Sequence, residues 1–75
     1  MKQENKETLL ALYNLCLEET AWGEWYDVVN ALDKVRHFGK RMMRQGEVSK
    51  EIGEALASVR GGIEVEDMLK KLQLA

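Results

Sequence analysis

Proline is missing from this chain altogether, and cysteine, histidine and phenylalanine occur once each, as Cys16, His37 and Phe38. Each scarcity excludes something. With one thiol no disulfide framework can form, and with one thiol and one imidazole there are too few soft ligands for a zinc site, which needs three or four. One histidine also leaves no way to assemble a nucleophile, a base and an orienting group, and no glutamate has a histidine three positions on, as a di-iron bundle requires. Glu24 and Asp27, spaced i,i+3, read as solvated helix surface rather than paired catalytic carboxylates. The double glycine Gly61-Gly62 follows no strand and has no lysine at P-loop spacing. The sequence therefore points away from an enzyme, a metal and a cofactor.

Long apolar runs are also missing. The longest is about four residues, Leu9-Leu10-Ala11-Leu12, far short of a membrane span. The opening Met1-Lys2-Gln3-Glu4-Asn5-Lys6-Glu7 has no apolar core of the signal-peptide kind. A lone thiol with no export signal fits a reducing cytoplasm, or a host cytoplasm for a virus-encoded chain.

What is present is a helical pattern broken by glycine. β-branched residues are scattered, so nothing argues for strands, and the expectation is an all-α bundle, a single domain over 1–75, with three helices and a short fourth. The first helix is expected from about Asn5 to Glu19, after a polar tail at 1–4. Leu9, Leu12, Tyr13, Cys16 and Leu17 share one face, and Leu10 and Leu15 widen it. So broad a stripe calls for several neighbours or for a homodimer through helix 1. Thr20 is read as the cap of a long second helix reaching Gln45, with Gly46 as its left-handed cap residue, although Gly23 sits close to that start.

The faces of the second helix separate at 100° per residue. Val28, Ala31, Leu32, Val35, Phe38, Gly39, Met42 and Met43 fill one arc. Lys34, Arg36, His37, Lys40, Arg41 and Arg44 fill the opposite one. A glycine inside a helix costs on the order of 1 kcal/mol relative to alanine, so Gly39 predicts a close helix crossing. The third helix is expected over about Val48–Val59, with a stripe of Val48, Ile52, Ala55, Leu56 and Val59. After a hinge at 61–62, the fourth runs from about Glu64 to Leu72, with Val65, Met68, Leu69 and Leu72 on one side.

Charge carries the functional expectation. The net charge is −2, but residues 34–50 hold six basic side chains against Glu47 alone. Residues 1–33 hold Lys2 and Lys6 against seven acids. Segment charge of this kind bears on partner choice more than the total does. Trp22, Trp25 and Tyr26 lie just ahead of the basic stretch. Trp22 and Tyr26 fall in the angular sector that later becomes basic, while Trp25 lies nearest the apolar arc. Aromatics and arginines are the residue types most enriched at interface hot spots. The expected function is a non-catalytic protein-interaction module, an adaptor, regulator or inhibitor. It would dock on an acidic patch of a larger protein through Trp22, Tyr26, Arg36, His37, Lys40, Arg41 and Arg44. His37 is expected at the surface with Asp33 as its neighbour one turn back.

The alternative is nucleic-acid binding by the same basic face, through sequence-blind neutralisation of phosphates. The helix–Gln45-Gly46-Glu47–helix layout looks superficially like a helix-turn-helix. However, the preceding helix is too long for the motif's first helix, and the would-be recognition helix carries Glu51 and Glu54 against Lys50 and Arg60. A membrane-surface role is set aside, because the apolar arc beside the cations is needed for the core.

Overall fold

The computed structural model describes residues 1–72; the last three positions of the expected 1–75 domain lie outside the described residues. The protein is all-α: α1 spans Gln3–Trp22, α2 Trp25–Arg44, α3 Lys50–Ala57 and α4 Gly62–Lys71. One apolar core draws on all four helices. Leu9 and Cys16 come from α1, Ala31, Leu32, Val35, Phe38 and Met42 from α2, Leu56 from α3, Val59 from the segment after it, and Val65, Met68 and Leu69 from α4. Leu10, Leu12, Tyr13 and Leu15 pack partly buried around that core. The other helices thus cover most of the first helix's apolar stripe within one chain, and Leu17 and Trp22 are the large apolar residues of α1 left exposed.

Two corrections to the expected boundaries matter for function. The N-terminal helix begins at Gln3, inside the stretch read as a tail, and it runs on to Trp22. Thr20 caps nothing: its hydroxyl donates to the Cys16 carbonyl at 2.7 Å, one turn back within α1. Gly23, whose N–H bonds the Glu19 carbonyl at 2.8 Å, closes the helix. α2 instead starts after Glu24, whose backbone N–H donates to the Asp27 carboxylate at 3.1 Å, one limb of a capping box. The result is an antiparallel hairpin of two 20-residue helices, each roughly 30 Å long, that turns at Gly23-Glu24. Trp22 therefore belongs to α1, not to the basic helix.

The other end of α2 is closed by Gly46, at φ 72°. Glu47 N–H reaches the Met42 carbonyl at 2.9 Å and Gly46 N–H the Met43 carbonyl at 3.2 Å, the paired bonds of a Schellman motif. Ser49 then caps α3 by accepting from Ile52 N–H at 3.2 Å.

α3 crosses α2 on glycine. A Cβ on Gly39 would lie 2.5 Å from that of Leu56 and 3.1 Å from the Gly53 carbonyl oxygen, and a Cβ on Gly53 would lie 2.6 Å from that of Met43. Two glycines, one per helix, thus let the backbones approach. The Gly39 half of this crossing is legible in the sequence; Gly53 is not part of the expected stripe. α4 begins at Gly62, within the expected hinge, where Arg60 N–H donates to the Glu64 carboxylate at 3.0 Å.

Candidate functional site

The fold sorts the seven expected site residues into three groups. His37, Lys40, Arg41 and Arg44 are exposed on the outer face of α2, and Lys34 joins them. At 100° per residue Tyr26 lies in line with His37 and Arg44, about 17 Å and about 27 Å along the helix from them. Arg36 is turned inward: its Nε donates to the Val59 carbonyl at 2.8 Å and its NH1 to the Asp33 carboxylate. It pins α2 to the chain just past α3, satisfying a carbonyl left over at a helix end. Asp33, expected beside His37, is engaged by Arg36 instead. Trp22 stands apart on α1.

The cations of the outer face have no internal counterpart. Lys2, Arg36, Lys50 and Lys70 each lie within 4.0 Å of a carboxylate oxygen, of Glu47, Asp33, Glu54 and Glu66 respectively. Among the described residues no such pair involves Lys34, Lys40, Arg41 or Arg44. Glu47, the one acid of the basic stretch, is drawn away by α1, accepting from Lys2 N–H at 3.3 Å. Like charges sit at i,i+4 in Lys40 and Arg44, an arrangement that weakens an isolated helix by a few tenths of a kcal/mol. The helix dipole repays this only for Arg41 and Arg44, in the last turn.

The hairpin adds what a single-helix reading misses. Thr8 and Leu12 of α1 and Phe38 of α2 line a shallow groove whose α2 wall is Lys34, His37, Arg41 and Arg44. Arg41 lies over the Phe38 ring, 5.7 Å from its centroid, within cation–π range. Leu12 and Thr8 carry no functional signal of their own; antiparallel pairing brings them to the cations.

At the opposite end is a surface of different chemistry. Trp22 is 91% exposed, Trp25 79% and Tyr26 58%. None of the three is in the core, Trp25 included, although its angular position places it nearest the apolar arc. Glu18, Glu19, Trp22, Gly23 and Asp27 line one concavity at this corner, and Glu24 caps α2 beside it. No lysine or arginine occurs between Lys6 and Lys34. The aromatic residues thus sit among acids: Tyr26 lies at the acidic end of the α2 face that later becomes cationic, while Trp22 is carried off that face by α1.

Cys16 is buried, and burial pushes its thiol above the ordinary cysteine value, away from the reactive thiolate. Tyr13 is also shifted upward, by loss of solvent and then by the Glu66 carboxylate beside it. Among the described residues no three of His, Cys, Asp and Glu gather as metal ligands, and no helix is long and apolar enough to cross a membrane. Comparison of the chain with protein-family models, with curated proteins and with solved structures gives no match. The surface has to be interpreted from its own residues.

Proposed function

We propose that this protein is a non-catalytic interaction module, an adaptor, regulator or inhibitor, that docks on an acidic surface of a larger protein through the outer face of α2. One observation carries the reading: Lys34, Lys40, Arg41 and Arg44 stand exposed on that face with no carboxylate at ion-pair distance among the described residues, where the ion pairs engage Lys2, Arg36, Lys50 and Lys70 instead. Unpaired surface cations of one sign steer a complementary partner and raise its association rate. The groove beside them has a narrow apolar floor, half-buried Leu12 with the edge of the buried Phe38 behind it, against which a side chain of the partner can be desolvated. The single buried thiol supports a reducing compartment, the cytoplasm of the cell or of a host.

Nucleic-acid binding by the same cations is the second reading. The apolar floor of the groove favours protein, since phosphate recognition has no use for it. Immobilised chain in native lysate at moderate salt, with and without nuclease, separates them. Nuclease-resistant capture of a stoichiometric protein, lost in Lys40→Glu/Arg41→Glu/Arg44→Glu, is the expected result. Loss of all bound material on nuclease treatment would establish the second reading instead.

A further inference from the structure

We infer that the exposed aromatic corner is the docking site for the basic face of a second copy of this chain, so that the protein associates head to tail. The corner offers an unusual amount of apolar surface. Aromatic side chains contribute ~150–250 Å² each, so three at these exposures, within five residues of chain across the turn, present about 450 Å² in all. No packing role accounts for it, because Trp22, Trp25 and Tyr26 are all outside the core.

Charge complementarity names the occupant. Glu18, Glu19, Glu24 and Asp27 surround the corner, and the stretch from residue 7 to residue 33 contains no lysine or arginine. The basic face answers with Lys34, Lys40, Arg41 and Arg44, four cations lacking carboxylates among the described residues. Indole faces accept guanidinium and ammonium groups, and arginine also stacks on them flat. The two surfaces belong to one chain, so each is present wherever the other is. They cannot meet within that chain: α2 is a continuous helix that holds Tyr26 about 12 Å from Lys34 and about 27 Å from Arg44, in a molecule 34 Å along its longest dimension. Only another copy brings them together.

A contact between different patches of identical chains is heterologous. It grows into open chains or closes into rings, unlike a two-fold dimer, which stops at two. The inference uses the basic face of the proposed function but does not depend on its foreign partner. It gives that face a competitor: self-association covers the cations until an acidic partner displaces the corner.

The test uses purified full-length chain alone, so its failure is separable from failure of the docking proposal. Sedimentation velocity on wild type should give an average mass that rises with concentration past twice the 8.6 kDa of one chain. Association should weaken at least fivefold between about 50 mM and about 500 mM salt, as screening shortens the reach of the charges. Trp22→Ser/Trp25→Ser removes the corner, and Lys40→Glu/Arg41→Glu/Arg44→Glu reverses the face; all five positions are exposed, and thermal melts check each fold. Each variant alone should be monomeric. Mixed, each supplies the surface the other lacks, and they should form a 1:1 complex that grows no further. Wild type that stays monomeric to about 0.5 mM, far above ordinary working affinities, overturns the inference. So does either variant associating as wild type does, which would assign the contact to another surface such as α1. A mixture that remains monomeric while wild type associates overturns it as well.

Discussion

The two ends of α2 carry large side chains for opposite reasons. At the C-terminal end Phe38 and Met42 are buried and Gly39 admits α3 to backbone distance. There the apolar residues face inward and only the cations face out. At the N-terminal end Trp22, Trp25 and Tyr26 face solvent at a corner that Gly23, Glu24 and Asp27 already hold by backbone and capping bonds. One end is large because the core needs volume; the other is large with no such need. Residues that the fold does not use, and whose exposure costs it the stabilisation of burial, are the place to look for function.

This contrast predicts an ordering of effects on stability, largest first. Gly39→Leu should destabilise by roughly 1–3 kcal/mol through overpacking, beyond any gain in helix propensity. In a domain this small that is a drop of about 4–8 °C in Tm per kcal/mol, and a melt at or above wild type would remove the crossing. Arg36→Met, which loses the bonds to Val59 and Asp33, should cost about 1–2 kcal/mol. A cost near zero in denaturant titration would return Arg36 to the set of cations available for docking. Gly46→Ala forces a side chain into left-handed backbone and should cost about 1 kcal/mol, read in the same titration. Trp22→Ser/Trp25→Ser should stay within about 0.5 kcal/mol of wild type, the ordinary range for surface changes. A large loss there would mean that the corner is structural after all.

Much of this was legible in the residues, and the misses have physical causes. The apolar arc from Val28 to Met43 and the Gly46 cap can be read directly, because periodicity and left-handed glycine each have few explanations. Gly39 announced a crossing, since a glycine inside an apolar arc is costly without one. Its counterpart Gly53 did not, because a glycine adds nothing to the apolar stripe by which α3 is recognised. Thr20 misled: a threonine near a helix end can cap the next helix or bond back to its own. Here the Cys16 carbonyl was within reach, so α1 continued and carried Trp22 with it. Arg36 looked like its basic neighbours because the acceptor that claims it, the Val59 carbonyl, is 23 residues away and is backbone. The acids around the corner are also assembled by the turn: Glu18 and Glu19 come from α1, Glu24 from the turn itself and Asp27 from α2. Charge reversal along the chain was plain, whereas its conversion into two opposed surfaces needed the hairpin.

On the reading proposed above, the cations on the outer face of α2 serve docking and not the fold. The measurement closest to it is capture of protein from nuclease-treated lysate by Lys34→Gln/Lys40→Gln/Arg41→Gln/Arg44→Gln, with a thermal melt establishing that the variant folds. Neutralising four cations that lack carboxylate partners among the described residues relieves repulsion and forfeits a little dipole energy. The expected result is a stability within about 1 kcal/mol of wild type and loss of the captured protein. An intact fold that still captures the same protein at the wild-type level would contradict it.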